Sequence, residues 1–258
     1  MGVHLFNDTD MTAIANAIRT KKGSSNTMTV SDMPTEIASI PSGGGTDYMA
    51  QRVQGTLSSY TIPNTCTKIS GYAFYSQPIS SITIPSSVTE IGLQAFAYCN
   101  NLTSITIPST VEEMKNNVFQ YAGLTSVTFA GTYVYGMNYA FSGCSSLKTV
   151  NNFTPTVWGR SQLPEQIFNN TALEGDIVLG DQCSFGARSF YNNNSTGILY
   201  LHLTQTDASV LSSKYYFGLS WNNPVDTAHC RLVVPVGMLS DYQSAFPNYS
   251  SIMIEETT

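Results

Sequence analysis

The sequence contains few charged residues and no cluster of basic ones. Charged residues make up 11% of its 258 residues and the net charge is −6, whereas soluble domains typically carry about 25% charged residues. The longest basic run is Lys21–Lys22. Nucleic-acid binding depends on clustered lysine and arginine side chains facing phosphates, so we predict no nucleic-acid partner. Serine, threonine, asparagine and glycine replace the charge, which favours an extracellular or virion surface.

Long apolar runs are absent as well. No stretch approaches the roughly 20 apolar residues that a membrane-spanning helix needs. The first 18 residues do not contain a basic segment followed by an apolar core, which is the pattern of a secretory signal. We therefore predict neither membrane insertion nor export through such a signal.

The motifs of common enzyme classes are also missing. His4, His202 and His229 lie far apart, and no HExxH, GxSxG, P-loop or dinucleotide-binding glycine pattern occurs. His229 and Cys230 are adjacent, and adjacent side chains on a strand point to opposite faces. We predict a protein that is not an enzyme and uses no metal or cofactor. A glycosidase built from distant carboxylates stays open.

What the sequence does contain is a repeat. Phenylalanine recurs at intervals of 22, 23, 22, 27 and 22 residues, and an isoleucine or valine that starts a β-strand recurs in step with it. Periods of this length are typical of solenoids, in which stacked turns share one core. The phenylalanines are Phe74, Phe96, Phe119, Phe141, Phe168 and Phe190. The strand positions are Ile82, Ile105, Val127, Val150 and Ile177.

Two of the five cysteines fall in register with this repeat. Cys99 and Cys144 each follow a repeat phenylalanine by three residues, which predicts equivalent buried positions two turns apart. Two strand spacings amount to about 10 Å, more than the ~7 Å between Cα atoms that a disulfide spans. We therefore predict buried thiols that are not paired with each other.

Strand residues between the inward-facing ones point outward, because side chains alternate with a period of two. Here these residues carry hydroxyl groups: Ser81, Thr83, Ser104, Thr106, Ser126 and Thr128. Stacked hydroxyl side chains favour strands and keep a surface soluble, and they also suit hydrogen bonding to a glycan. Thr83, Thr106 and Thr128 are our candidate ligand contacts, beside the interpretation that they serve solubility alone.

An insertion at residues 151–166 interrupts the period. Insertions in solenoids form loops, and loops often carry binding residues. Trp158 and Arg160 are of residue types enriched in binding hot spots, and the irregular turn before them contains Tyr133 and Tyr135. We predict ligand contacts at these four residues. The alternative is that the aromatic side chains pack the irregular turn.

The first 41 residues predict two short helices, each with an apolar stripe at 3–4 spacing. A triple glycine then opens a linker over residues 42–55. A unit this small seldom stabilises itself, so we predict that the stripes bind other proteins or form a homo-oligomer, expected to be a trimer. The alternative is a cap on the solenoid. The stripe residues are Ile14, Ile18, Val30, Met33 and Ile37.

These patterns predict an α+β protein with a small N-terminal helical module over residues 1–41 and a solenoid over residues 56–203. Residues 204–258 predict a C-terminal cap, because RLVVPVGMLSDYQSAFPNYSSIMIEE contains a strand, a Pro-Val-Gly turn, a short helix and a closing strand. The expected role of this cap is to cover the last open strand edge.

The repeat units resemble a known family. IPSSVTEIGLQAFAYCNNLTSI and IPSTVEEMKNNVFQYAGLTSV are similar to BspA-like bacterial leucine-rich repeats over residues 56–200. Residues 127–203 depart from the pattern, because they lose the Ile-Pro step and contain the insertion. The resemblance implies a leucine-rich-repeat solenoid that functions in adhesion and binds proteins or glycans without catalysis.

A second resemblance concerns the N-terminal segment. AIANAIRTKKGSSNTMTVSDMPTEIASIPSGGG, residues 13–45, is similar to a segment of bacteriophage tail, baseplate and receptor-binding proteins. It implies a virion-attachment module that contacts other virion proteins, on particles released by host lysis. The resulting hypothesis is a phage virion protein that binds a host-surface glycan or protein. The alternatives are a structural decoration or fibre protein without a receptor, and a bacterial surface adhesin.

Overall fold

The polypeptide winds into a solenoid in which each turn adds one strand to a ladder of parallel strands. The computed structural model describes residues 58–131, 135–153, 163–179, 186–211 and 227–257. The predicted N-terminal helices and their five stripe residues lie outside these ranges, and so do Tyr133, Trp158 and Arg160. The described strands belong to one compact unit that begins at Ser58.

Nine strands form the long ladder, and all pairings in it are parallel. They are β1 (Ser59–Thr61), β3 (Ser81–Thr83), β5 (Ser104–Ile107), β7 (Ser126–Phe129), β9 (Thr149–Asn151), β10 (Gly175–Leu179), β11 (Leu199–Leu203), β12 (Cys230–Val234) and β13 (Met253–Glu255). Hydrogen bonding divides the ladder into three sheets, ordered β1-β3, β5-β7-β9 and β10-β11-β12-β13. Each turn therefore presents one strand to the same face.

A second, shorter ladder runs along another side of the turns. It consists of β2 (Lys68–Ile69), β4 (Glu90–Ile91), β6 (Glu113–Met114) and β8 (Tyr135–Gly136). These strands are also parallel and pair in the order β2-β4-β6-β8. Ile69, Ile91 and Met114 point into the core from this ladder, so the core is enclosed from two sides by hydrogen-bonded backbone.

Side chains of the long ladder alternate between core and surface as predicted. In β5, Ile105 and Ile107 are buried, whereas Ser104 and Thr106 are exposed. Two predicted inward residues depart from this pattern, because Ile82 and Val150 are only half-buried. Both belong to strands at the end of their sheets, β3 and β9. The position at a sheet end does not account for this by itself, because Ile105 of β5 and Ile177 of β10 also lie on end strands and are buried.

The six repeat phenylalanines form a continuous stack inside the solenoid. Successive ring centroids lie 5.1, 5.2, 5.4, 5.5 and 5.4 Å apart, with interplanar angles of 3–25°. All six side chains are buried. The predicted shared core is therefore confirmed, and the spacing of the rings follows the stacking of the turns.

Each phenylalanine lies between two residues with left-handed backbone conformation, at the positions two before and two after it. In the second turn these are Gln94 and Tyr98, with φ values of 52° and 60°. The N–H groups of Gln94, Phe96 and Tyr98 donate to carbonyl oxygens of the next turn at 3.2, 2.8 and 2.9 Å. The same three hydrogen bonds recur from turn to turn. On the phenylalanine side of the solenoid, these backbone N–H groups therefore all donate towards the following turn.

The position three residues after each phenylalanine is buried in every turn and is often polar. Its occupants are Gln77, Cys99, Ala122, Cys144, Thr171 and Asn193. The thiols of Cys99 and Cys144 donate to the carbonyl oxygens of Phe74 and Phe119, each at 3.0 Å. Both thiols are free, as predicted. Burial raises the pKa of each to about 12, so both stay protonated at neutral pH and act as hydrogen-bond donors.

The C-terminal segment has the predicted order of elements but extends the ladder. Strand β12 is followed by a turn at Gly237, helix α1 (Leu239–Ala245), a 3-10 helix (Pro247–Ile252) and strand β13. Strands β12 and β13 pair in the same sheet as β10 and β11. The segment predicted as a cover for the last strand edge therefore adds two strands of its own, and β13 is the outer described strand.

The described residues contain little helix. Besides α1 they include two 3-10 helices, Ala208–Val210 and Pro247–Ile252. This part of the protein is a β-solenoid of about seven turns rather than an α+β domain. The helical part of the prediction depended on residues 1–41, which the structure does not describe. No helix in the described ranges is long and apolar enough to cross a membrane.

Candidate functional site

The outward side chains of the first five long-ladder strands form a surface rich in hydroxyl groups, which we call the strand face. Its side chains are Thr61, Ser81, Thr83, Ser104, Thr106, Ser126, Thr128, Thr149 and Asn151. The register places Ser104 opposite Ser126, and Thr106 opposite Thr128. Neighbouring strands lie about 4.8 Å apart, and alternate residues of one strand about 6.6 Å apart. The hydroxyl groups therefore form a regular two-dimensional array on a hydrogen-bonded sheet.

The hydroxyl groups of this face are available to a ligand. Within the described ranges, the hydroxyls of Thr83 and Thr106 make no hydrogen bond to another residue, and both side chains are exposed. The Thr128 hydroxyl accepts a bond from the Asn151 side chain at 3.3 Å. The candidate contacts predicted from the sequence thus lie in one column of the strand face.

Other hydroxyl groups have a different role, because they connect successive turns. The hydroxyls of Thr110 and Thr125 each donate to a backbone carbonyl of the preceding turn, at 2.9 Å. The Thr89 hydroxyl makes the same kind of bond at 3.3 Å. Serine and threonine therefore divide into a set that bonds the scaffold and a set that faces solvent.

The chemistry of the outward side chains changes over the last four strands. His202 lies between two carboxylates, with Nε2 2.7 Å from Asp176 and Nδ1 3.5 Å from Glu256. Val178 of β10 and Ile254 of β13 are exposed apolar side chains. Among the described residues, no group of three or more histidine, cysteine or acidic side chains is arranged to hold a metal ion. The regular hydroxyl array is thus confined to the first five strands.

Two ion pairs lie along the short ladder. Lys68 pairs with Glu90 at 2.6 Å, and this hydrogen bond lowers the pKa of the Glu90 carboxyl. Glu113 pairs with Lys115 at 2.5 Å. Exposed ion pairs of this kind contribute roughly 0–1 kcal/mol each, so they add little to stability. The strand face itself carries only serine, threonine and asparagine side chains and is uncharged.

The predicted site in the irregular turn and the insertion stays a prediction. Tyr135 contributes its backbone to strand β8, and its side chain is not described. Tyr133, Trp158 and Arg160 lie outside the described residues. Tyr139, in the same irregular turn, donates its hydroxyl to Glu165 at 2.9 Å.

A row of tyrosines on the phenylalanine turns was not predicted from the sequence. Tyr72, Tyr75, Tyr98 and Tyr121 follow one another with ring centroids 5.8, 5.4 and 5.1 Å apart. We call this row the tyrosine ridge. Burial and the neighbouring tyrosine hydroxyls raise the pKa of Tyr75. The available signal was a tyrosine one or two residues after each of the first three repeat phenylalanines.

Three tyrosines of the ridge occupy positions that disfavour them. Tyr72, Tyr98 and Tyr121 have φ values of 60°, 60° and 56°, a conformation that costs most residues roughly 1–2 kcal/mol. In later turns the position of Tyr98 and Tyr121 carries Gly143 and Asn170, types that adopt this conformation readily. Ring stacking returns about 0.5–1.5 kcal/mol per pair. This gain comes in addition to the burial of the rings, so stacking alone at most offsets the backbone cost.

Stacked turns with a parallel strand in each define the protein as a leucine-rich-repeat solenoid, a class of scaffold with one continuous core. Residues 67–197 match the BspA type Leucine rich repeat region in 6 copies. This match covers half of the chain, and the chain belongs to that family. The resemblance seen in the repeat units is thereby confirmed. The match leaves residues 1–41 outside, so the resemblance to phage proteins stays a prediction.

The comparison with solved structures finds other leucine-rich-repeat proteins at low sequence identity. A leucine-rich repeat protein from Bacteroides ovatus is 16% identical, with a TM-score of 0.44; the match covers 81% of this chain and 62% of that one. A leucine rich cell surface protein from Faecalibacterium prausnitzii is 22% identical, with a TM-score of 0.39 and coverages of 56% and 47%. The T. pallidum leucine rich repeat protein is 20% identical, with a TM-score of 0.37 and coverages of 52% and 76%. This chain thus spans less than two thirds of the first two proteins. No curated protein matches it.

Proposed function

We propose that this protein is a non-enzymatic recognition protein that binds a glycan or protein of a cell surface through its strand face. The observation that carries this proposal is the column of exposed threonine hydroxyls, two of which make no hydrogen bond to the described protein. The family is associated with adhesion and with binding of proteins or glycans, which agrees with this role.

The strand face suits binding because its array is held in place before the ligand arrives. Backbone hydrogen bonds fix the strands, and threonine has few rotamers to lose. A pre-organised surface spends less of its interaction energy on ordering. Each neutral hydrogen bond contributes only about 1 kcal/mol net. Useful affinity therefore requires several hydroxyls together, and several copies on one particle or cell would raise it further.

Replacing Thr83, Thr106 and Thr128 together with valine tests the strand face. Valine keeps the β-branched shape and removes the hydroxyl, so we expect the free energy of unfolding to change by less than about 1 kcal/mol. Loss of three hydrogen bonds of about 1 kcal/mol each lowers affinity roughly 100-fold. The measurement is retention of labelled protein on bacterial cells, immobilised glycans and matrix proteins, combined with urea denaturation.

The matched control replaces Thr89, Thr110 and Thr125 with valine. These hydroxyls bond the backbone of the preceding turn. The control variant should therefore lose about 1 kcal/mol of stability per site and retain binding. Unchanged binding by the strand-face variant, on targets that the wild type binds, contradicts the proposal.

A finer proposal concerns the N-terminal segment. We propose that residues 1–41 mount the protein on a bacteriophage tail, fibre or baseplate as a homotrimer, so that the virion displays the solenoid to the host. The support is the resemblance of residues 13–45 to phage proteins and the apolar stripes formed by Ile14, Ile18, Val30, Met33 and Ile37. Under this proposal the host is contacted by Trp158 and Arg160 of the insertion, with Tyr133 and Tyr135, in addition to the strand face.

Changing Ile14 and Ile18 to aspartate tests the mounting role. We expect the full chain to form a trimer in light scattering and the variant to be monomeric, because two charges enter the proposed interface. Asn16→Asp, which adds a charge between the two stripe positions, is the control that should stay trimeric. A monomeric wild type contradicts the trimer. Absence of cross-links between residues 1–41 and other virion proteins favours the adhesin, and failure to label host cells favours a decoration protein.

A further inference from the structure

The tyrosine ridge is a second surface, distinct from the strand face, and it carries its own features. Tyr98 and Tyr121 are 36% and 43% exposed, and their rings stack with an interplanar angle of 28°. The Tyr121 ring lies against Gly143, where an added Cβ would fall 2.3 Å from two ring carbons. The rings are therefore held in fixed positions on the surface rather than extending freely into solvent.

The surroundings of the ridge contain no charge. The turn segments 70–77, 92–101 and 116–124 include no aspartate, glutamate, lysine or arginine, although the chain carries a net charge of −6. They contain tyrosine, asparagine, glutamine, serine and glycine instead, and Leu93 adds an exposed apolar side chain. This composition resembles that of antibody binding loops, in which tyrosine supplies rigid contact area and small polar residues supply hydrogen bonds. It favours an uncharged ligand.

The shape of the ridge favours a linear ligand. Between Tyr75 and Tyr121 the row adds one ring per turn, at spacings of 5.4 and 5.1 Å. A stable protein–protein interface buries about 800 Å² on each partner, an area that a row one tyrosine wide does not supply. A narrow, regular and uncharged row instead matches a polymer that is itself narrow, uncharged and made of repeating rings.

We propose that the tyrosine ridge binds a linear, uncharged polysaccharide. Sugar rings would pack against the exposed edges of the stacked tyrosine rings, while sugar hydroxyls exchange hydrogen bonds with the phenol hydroxyls and the amide side chains of the same turns. Contact between the Tyr98 and Tyr121 side chains and the polysaccharide would explain why tyrosine occupies positions with an unfavourable backbone conformation. This site is separate from the strand face and does not depend on the function proposed for it.

The test uses the full chain and four linear, neutral polymers: amylose, pullulan, glucomannan and hydroxyethyl cellulose. Each polymer is cast into a native gel, and the retardation of the protein is compared with that in polygalacturonate and heparin gels. We expect the wild type to be retarded by at least one neutral polymer. The variant Tyr98→Asn/Tyr121→Asn should bind that polymer at least tenfold more weakly. Asparagine accepts the left-handed conformation, so this variant should remain folded, and its denaturation midpoint checks that it is folded under the conditions of the gel.

Two further variants separate the possible explanations. Tyr98→Phe/Tyr121→Phe keeps the rings and should lose less affinity than the asparagine variant. The Thr83/Thr106/Thr128→Val variant should bind the neutral polymer as the wild type does, which distinguishes failure of this proposal from failure of the strand-face proposal. The proposal is overturned if no neutral polymer retards the wild type, if only the anionic polymers do, or if the asparagine variant binds equally well.

Discussion

Replacing Phe119 with alanine is expected to lower the free energy of unfolding by about 3–5 kcal/mol. The ring is fully buried and stacks between Phe96 and Phe141, with centroid distances of 5.2 and 5.4 Å. Its removal loses the transfer free energy, leaves a cavity and breaks two aromatic contacts. Because turns of a solenoid are stabilised by their neighbours, both interfaces of the third phenylalanine turn weaken. Urea denaturation followed by far-ultraviolet circular dichroism measures this loss.

Phe119→Leu is the matched control for this prediction. Leucine keeps most of the buried volume, so the cost should stay below about 1.5 kcal/mol. The difference between the two variants isolates the cavity from the aromatic contacts. A loss below about 1 kcal/mol for Phe119→Ala would show that the rings do not support one shared core.

Gly123→Ala is expected to destabilise the protein by about 3 kcal/mol or more, although alanine is the smallest possible addition. A Cβ at this position would lie 2.0 Å from the carbonyl oxygen of Asn100 and 2.7 Å from its carbonyl carbon. The Gly123 N–H also donates to the backbone carbonyl oxygen of Cys99 at 3.1 Å. Two turns meet here backbone to backbone, so a side chain forces them apart and weakens the hydrogen bonds between them. Thermal and urea denaturation measure the effect.

Gly175→Ala separates this steric effect from backbone strain. Gly175 has a φ of +82°, and an added Cβ would meet nothing within 4 Å. Its replacement should cost only the roughly 1–2 kcal/mol of the left-handed conformation. If both alanine variants lose the same stability, close contact between turns is not what selects glycine at position 123.

Much of the core was predictable because it depends on period alone. The buried phenylalanines, the thiols of Cys99 and Cys144, and the outward hydroxyls at Thr83, Thr106 and Thr128 all follow from counting residues within a turn. In a solenoid, equivalent positions of neighbouring turns stack on each other. A column in the sequence is therefore a column in space, and burial of one member predicts burial of the next.

Features that depend on contacts between different columns were not predictable in this way. Tyr75 follows its phenylalanine by one residue, whereas Tyr98 and Tyr121 follow theirs by two, so no single column contains the ridge. Thr171 and Asn193 are buried polar residues that the apolar pattern did not indicate. Their side chains bond backbone carbonyls, Thr171 to Phe168 at 2.9 Å and Asn193 to Leu173 at 2.6 Å.

The sequence by itself determined that the chain coils with a period of 22–27 residues around stacked phenylalanines, because a regular period leaves few other ways to bury them. Only the tertiary structure decided which hydroxyls bond the preceding turn and which face solvent, where the ladder continues after residue 203, and that four tyrosines meet. These outcomes depend on the distance and direction between atoms of successive turns. Residue order sets which turns are neighbours, but the fold sets which of their atoms touch.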